Sequence, residues 1–220
     1  MFIFFFKFKM LRTTLKKLIY PRGKVHKNYG KYVGWSCFSN FIISIESVLS
    51  THSMLSVVGQ ASTELTLSVN YIGKDIVGQI GGLYYMNKMG EKADKEPKKF
   101  VKYSMAFQQA SVFMECATPI LPISTFIPVA GLANIGKNIA FTGIGAVNAK
   151  IIATLAEDNN VGEIYAKISV LNTLGSTIGM GLGLVIAAHI PDHTTRLGLM
   201  PILTMIRIYS YSKAIEDLIE

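Results

Sequence analysis

The stretch "ISVLNTLGSTIGMGLGLVIAAHIP", residues 168–191, decides the fold because it contains no Asp, Glu, Lys or Arg. A helix needs about 20 apolar residues to cross a bilayer, and this run is long enough. Gly175, Gly179 and Gly183 recur every four residues and therefore lie on one helix face, where small residues let two helices touch closely in lipid. The stretch predicts a membrane-spanning helix with a close helix contact.

Two further pairs of small residues repeat this spacing, Gly78 with Gly82 and Gly145 with Ala149. Chance matches are common in a chain with 19 glycines, so these pairs are weaker evidence than the first set. In water a glycine inside a helix costs roughly 1 kcal/mol relative to alanine, whereas in lipid it allows close backbone contact. We favour plain helix packing for all of them; the alternative is a solute path lined by small residues.

The composition also favours a membrane protein. The chain has 220 residues, enough for one compact domain; half of them are apolar and 16% are charged. Soluble domains carry about 25% charged residues, and the mean hydropathy of +0.36 is high for them. The expected partner is therefore a lipid bilayer and not a nucleic acid. A soluble or peripheral enzyme with a very apolar core is the less favoured alternative.

The positive charge is concentrated near the N-terminus. Residues 1–45 hold nine Lys or Arg and no acidic residue, and the opening segment is "MFIFFFKFKMLRTTLKKLIY". Mixed aromatic and basic residues suit an anionic membrane surface, and an acid-poor segment also suits organelle targeting. We interpret residues 1–19 as an anchor, a targeting segment or a plain tail, and residues 20–220 as the helical domain. The expected location is an organelle membrane, plastid or mitochondrial.

The rest of the pattern predicts an all-α, multi-helix membrane-associated bundle. A second uncharged run, 116–136, contains three prolines and predicts a bent or discontinuous segment. The segment 87–102 predicts a charged loop, and Pro97 is a candidate for the first residue of the next helix. Asn160 and Glu163 resemble a capping box. The predicted helices lie near 36–69, 71–88, 97–118, 123–155, 162–188 and 197–217. The N-terminal arm and the 87–102 segment, both rich in lysine, are expected on the same side.

Lone charges interrupt the apolar runs at Glu46, Asp75, Glu115 and Lys137. A charge inside a bilayer costs at least a few kcal/mol, so it usually faces the bundle interior or pairs with another group. Asp75 shares a helix face with the pair of glycines that follows it, and should point at the helix that they contact. Lys74 is its immediate neighbour, about 100° away around a helix, so we expect the two not to face one another. A position at a helix end, at the membrane–water interface, explains the charges of Lys74 and Asp75 equally well.

We predict a buried polar group or solute site from these charges and the adjacent amides. Its residues are Lys74, Asp75, Glu115, Asn134, Lys137 and Asn138. They would hold the bundle in register, or Lys137 would bind an anionic solute beside the proline-broken segment.

The sequence shows no convincing catalytic pattern, so we predict neither an enzyme nor a cofactor. His189, Asp192 and His193 suggest a metal site, but Pro191 disrupts the helical spacing that would align them. The two cysteines are too few for a disulfide framework or a structural zinc site and are expected to be reduced thiols.

The order of motifs resembles the root UVB sensitive family across residues 20–211. The blocks "YPRGKVHKNYGKYVGWSCFSN", "VLSTHSMLSVVG", "NYIGKDIVGQIGG", "ANIGKNI" and "NNVGEIYAK" follow one another as in that family. The matching positions include Tyr20, Pro21, Val25, Tyr29, Tyr32, Trp35, Ser50, Thr51, Leu55, Gly59, Lys74, Asp75, Gly78, Gly81, Gly82, Asp94, Pro97, Lys98, Phe100, Glu115, Pro119, Pro122, Asn134, Lys137 and Asn138. Gln109 departs from the pattern, because many members have aspartate there.

This resemblance implies a multi-helix, membrane-associated protein without an established catalytic mechanism. Plant members are linked with plastids, seedling development under ultraviolet-B, auxin transport and vitamin B6 homeostasis, and members pair with each other. Typical members also continue into a further C-terminal region, which is expected to be missing from a chain that stops at Glu220. We therefore expect a protein that works through helix contacts with itself or a paralogue; the alternative is a carrier of a small, anionic solute.

Overall fold

The computed structural model describes residues 19–58 and 64–219. These ranges contain no strand, and the isolated bridge between Val25 and Ala156 is their sole β contact. The all-α class is therefore confirmed. The α-helices whose bounds lie within these ranges are α1 (Tyr29–Val58), α2 (Glu64–Lys95), α3 (Pro97–Ala117), α4 (Phe126–Leu155), α5 (Val161–His189) and α6 (His193–Ile215).

Consecutive helices alternate in direction, and α1 and α3 are the inner helices. Helix α1 packs on α5, α6 and α3, whereas α4 packs on α2 and α3. The helices α4 and α5 contact each other little, because α4 lies between α2 and α3 whereas α5 packs on α1. A gap therefore separates α4 from α5.

Charged groups gather at one end of the bundle, where α1 begins and α6 ends. Lys31 Nζ lies 3.1 Å from a Glu216 carboxylate oxygen and 2.7 Å from an Asp217 oxygen, and these partners raise the pKa of Lys31. Lys98 Nζ donates to the Glu216 carbonyl at 3.3 Å. The start of α1 and the start of α3 thus share an end. The arm 1–18 lies outside the described residues.

The predicted loop at 87–102 is wrong, because α2 continues to Lys95 and α3 starts at Pro97. Lysine and glutamate are good helix formers, and Glu91 and Lys95 form an i,i+4 ion pair of 2.6 Å. Glu96 alone leaves the helix, since the residue before a proline disfavours helical backbone. Pro97 as the first residue of α3 is confirmed.

The predicted helix 36–69 also has wrong bounds. Its helix begins seven residues earlier, at Tyr29, and ends at Val58, and α2 starts at Glu64, before the predicted break. The serines and glycines near this boundary do not indicate clearly where the first helix ends. The predicted helix 71–88 is seven residues too short at each end of α2, whereas the four later helices agree with the prediction to within a few residues at each end.

The predicted discontinuity in 116–136 is confirmed. The chain leaves α3 at Ala117 and makes two 3₁₀ turns, Thr118–Ile120 and Ile123–Thr125, before α4 begins. Pro119 and Pro122 lie in and between these turns, whereas Pro128 is in the first turn of α4, where no helical hydrogen bond is lost.

The predicted capping box does not form. Asn160 precedes α5 without a capping hydrogen bond, and its amide donates to the Lys24 carbonyl at 3.0 Å. Glu163 accepts from the Arg22 backbone N–H at 3.1 Å. Both side chains therefore fasten the segment before α1 to the start of α5.

A cap that the pattern did not predict starts α6. Asp192 accepts from the Thr195 backbone N–H at 2.7 Å, and the hydrogen bonds from Thr195 lower the pKa of this carboxyl group.

Candidate functional site

The glycine stripe of α5 forms its contact with α1 of the same chain. A Cβ on Gly179 would collide with the Phe41 carbonyl oxygen, and one on Gly175 would lie 2.6 Å from the Cys37 carbonyl oxygen. Gly183 also faces α1, where a Cβ would lie 2.9 Å from Val48 Cβ, and it is buried. The stripe is covered within the monomer, so assembly with another copy would require a different surface.

The second glycine pair places α2 against α4. A Cβ on Gly78 would meet the side chains of Asn134 and Asn138, and one on Gly82 would lie 2.9 Å from Asn138 Cβ. Only glycine leaves room for these amides at the contact.

Asp75 reaches the same contact, in the predicted direction. The Asn134 amide donates to Asp75 Oδ1 at 3.0 Å and to the Lys74 carbonyl at 2.8 Å. The expectation that Lys74 and Asp75 would not face each other is wrong, because Lys74 Nζ lies 2.6 Å from Asp75 Oδ1. The long lysine stem spans the angle between neighbouring helical positions.

Glu115 on α3 and Lys137 on α4 form an ion pair inside the bundle. The carboxylate is 1% exposed and the lysine side chain is 25% exposed. The pair joins two helices and gives a carboxylate partner to the Lys137 ammonium, the group that the carrier hypothesis assigned to a solute. Lys137 therefore serves the packing of α3 on α4.

A third polar group, which sequence reasoning missed in part, joins α1, α3 and α6. Glu46 is fully buried, and its carboxylate accepts from Gln109 Nε2 at 2.9 and 3.1 Å and from the Thr204 hydroxyl at 3.2 Å. Arg207 donates through Nη1 to Gln109 Oε1 at 2.5 Å and through Nη2 to Gln108 Oε1 at 2.5 Å. Gln109 thus bridges a buried carboxylate and a buried guanidinium.

Arg207 could have been found from the sequence. It is the sole charged residue between Arg196 and Lys213, and an isolated charge in an apolar helix usually faces the interior. Glu46 was recognised as an isolated acid in an apolar run. Its partner on α6, Arg207, was not recognised because it is far away in sequence.

Arg196 has a structural role. Its guanidinium donates to the Ile190 carbonyl at 2.5 Å and the Ala187 carbonyl at 3.0 Å, and Nη1 lies 2.6 Å from His52 Nδ1. It therefore satisfies carbonyl groups at the C-terminal end of α5, which a helix leaves unpaired.

An open cavity of about 680 Å³ lies in the gap between α4 and α5. Asn40 from α1, Gln108 from α3 and Arg207 from α6 contribute to its wall, and the predicted small pair Gly145 and Ala149 lines it from α4. These two small residues leave space in place of a helix contact.

The histidines, Asp192 and the cysteines considered in the sequence analysis lie apart from one another. His189 Nδ1 lies 2.9 Å from the Val185 carbonyl, and Asp192 caps α6. Across residues 19–58 and 64–219, no three His, Cys, Asp or Glu side chains come together as a metal site. Cys37 and Cys116 are free thiols on different helices.

Across residues 19–58 and 64–219, the fold and these polar groups define a class: a bundle of α-helices with paired charges inside and apolar side chains on its outer faces. A family model described as the vitamin B6 photo-protection and homoeostasis domain matches residues 7–219. The chain therefore belongs to this family, which is the root UVB sensitive family of the resemblance.

Three curated relatives illustrate the match. Protein root UVB sensitive 2, chloroplastic, from Arabidopsis thaliana is 29% identical over 207 residues, covering 92% of this chain and 47% of the relative. Protein root UVB sensitive 6 of the same plant is 25% identical, covering 88% and 40%. RUS family member 1 from Dictyostelium discoideum is 22% identical, covering 83% and 36%. The chain spans less than half the length of these relatives, and no solved structure matches it.

Proposed function

We propose that this chain is a non-enzymatic, membrane-embedded helical protein that acts through helix contacts with itself or a paralogue. The observation that carries the proposal is the outer face of α5, where Ile178 is 65% exposed and Leu184 is 62% exposed. Two segments, Ile123–Leu155 and Val161–His189, are long and apolar enough to cross a membrane. Lipid would cover an apolar surface that water would not tolerate.

The other outer helices support the same environment. Leu83 on α2, Phe141 on α4 and Met205 on α6 are each more than 60% exposed. Apolar side chains thus point outwards on several sides of the bundle, whereas paired charges lie inside. This inside-out distribution suits a bundle surrounded by hydrocarbon. One of these outer faces would also meet a second copy or a paralogue.

An organelle membrane is the proposed location. The Arabidopsis relative with 29% identity is called chloroplastic in its name, which favours a plastid over a mitochondrion for this chain. The lysines gathered at one end of the bundle would lie at the lipid headgroups on one side of that membrane.

Alkaline carbonate extraction tests the membrane proposal. The protein is expected to stay in the membrane pellet and to leave it only with detergent, because apolar helix faces hold it in lipid. Light scattering in detergent should then give the mass of a dimer or a larger assembly. Release by carbonate would refute embedding, and a strictly monomeric mass would refute self-assembly, leaving a paralogue as the partner to co-express.

A carrier of small solutes is the second candidate, and the cavity between α4 and α5 favours it. If the protein is a carrier, liposomes that contain it should take up an organic anion such as benzoate faster than empty liposomes. Liposomes containing a variant in which the cavity is filled are the matched control. Equal uptake in all three preparations would exclude this function for that anion.

A further inference from the structure

We propose that the cavity between α4 and α5 binds a small organic oxyanion, a carboxylate or a phosphate ester with an apolar body, through Arg207. The inference deepens the carrier candidate by assigning its ligand class and its site. It does not require transport, because the site can be measured by binding alone.

The guanidinium of Arg207 is the first element of the site. Arg207 is 5% exposed and lines the cavity from α6. Its two terminal nitrogens donate to Gln108 and Gln109, but its Nε–H is buried without an acceptor among the described residues. Buried donors are almost always hydrogen-bonded, so an unpaired donor on a residue that lines a cavity points to an acceptor that a ligand could supply.

The amide groups around Arg207 are biased towards donation. Gln108 Oε1 is occupied by the guanidinium, which leaves the Gln108 NH₂ group to donate elsewhere. Asn148 Oδ1 accepts from the Tyr32 hydroxyl at 2.7 Å, so the Asn148 amide likewise keeps its donors. Both residues line the cavity. An arginine flanked by amide donors suits a carboxylate or phosphate, which accepts several hydrogen bonds.

The charge of the wall is positive. Among the described residues that line the cavity, Arg207 is the one ionised side chain and none is acidic. The nearest carboxylate in its network, Glu46, is separated from the guanidinium by Gln109 and accepts hydrogen bonds on the other side of it. Arginine remains protonated throughout the physiological pH range, so the attraction for an anion persists.

The remaining wall selects an apolar body for the ligand. Ile144, Ile152, Phe141 and Tyr165 line the cavity, and its volume of about 680 Å³ is within the range of small-molecule sites. Phe141 is 77% exposed and Tyr165 is 57% exposed, on facing helices. The cavity therefore opens sideways between α4 and α5, and a ligand can enter between these two rings.

Two sources could supply an oxyanion of this kind. A free organic acid would arrive from water, whereas the phosphate of an anionic lipid would enter through the gap between α4 and α5. Both present the same group to Arg207, and competition between the two kinds of probe distinguishes them.

Titration calorimetry on the whole chain in an uncharged detergent tests the site. Benzoate and phenyl phosphate are expected to bind saturably, whereas benzyl alcohol, which has the same ring without the charge, should bind at least tenfold more weakly. Equal affinity for benzoate and benzyl alcohol would overturn the proposal, because the charge would then contribute nothing.

Gly145→Phe is the decisive variant. A Cβ at Gly145 meets no atom within 4 Å, so the new ring can occupy the cavity without displacing a neighbour. Gly181→Phe is the matched control, since its position on α5 is equally open but does not line the cavity. Benzoate affinity should fall at least tenfold in Gly145→Phe and remain unchanged in Gly181→Phe. Full affinity in Gly145→Phe would overturn the proposal.

Arg207→Lys provides a second, independent readout. Lysine keeps a positive charge within the Glu46 network but lacks the Nε–H and the planar fork, so benzoate should bind at least tenfold more weakly while the melting temperature shows a folded protein. Unchanged affinity in this folded variant would also overturn the proposal.

Displacement of benzoate by dioctanoyl phosphatidic acid would assign the site to lipid, and failure to displace it would assign the site to free anions. Binding without uptake in the liposome experiment would reject the carrier and retain the site.

Discussion

Replacing Gly179 by leucine is expected to prevent the bundle from forming its α1–α5 contact. At this position any Cβ collides with the Phe41 carbonyl oxygen, which belongs to the backbone of α1 and cannot rotate away. Overpacked sites usually cost about 1–3 kcal/mol, and a clash with a helix backbone should reach or exceed about 3 kcal/mol. Circular dichroism melts in detergent should show a much lower transition, or none.

The control for this variant lies two residues away on the same helix. A Cβ at Gly181 meets nothing within 4 Å, and this position faces outwards. Gly181→Leu should melt at or above the temperature of the parent, because leucine is the better helix former. If both leucine variants melted alike, the α1–α5 contact would not depend on glycine.

Replacing Lys137 by methionine is expected to be the second most damaging change. It leaves the Glu115 carboxylate, which is 1% exposed, without its cation. Removing one partner of a buried ion pair typically costs about 3–5 kcal/mol, and we expect the lower figure because the lysine is partly exposed. The loss should appear as a lower melting temperature and as increased protease cleavage between α3 and α4.

The matched control removes both charges. In the double variant Glu115→Leu with Lys137→Met, no unpaired carboxylate remains, and apolar side chains of similar volume occupy the space. Its stability should recover most of the loss seen in Lys137→Met. A double variant as unstable as the single one would show that the contact between α3 and α4 depends on the shape of these side chains and not on their charge.

Local patterns predicted the helices well and the partners of each helix poorly. The α5 stretch without ionised side chains and the proline-broken segment before α4 were recognisable, because hydrophobic length and proline act on the backbone nearby. The 87–102 error has a local cause too: charge was taken as a sign of a loop, although lysine and glutamate favour helix.

The features that were not predicted are contacts between helices that lie far apart in the sequence. The five packing glycines were identified from their spacing, but spacing does not reveal whether the surface they meet belongs to the same chain. Glu46 and Arg207 lie on α1 and α6, far apart in sequence, and meet through Gln109, where the family resemblance led us to expect an aspartate. A glutamine can serve a carboxylate and a guanidinium simultaneously, since its amide both donates and accepts.

The contact between the start of α1 and the end of α6 has a consequence for any polypeptide joined to this bundle. Residues 20–28 and the segment after α6 emerge at the same end, where Lys31 meets Asp217. If the bundle spans a membrane, a reporter fused after Ile219 would therefore reside in the same compartment as the lysine-rich junction between α2 and α3.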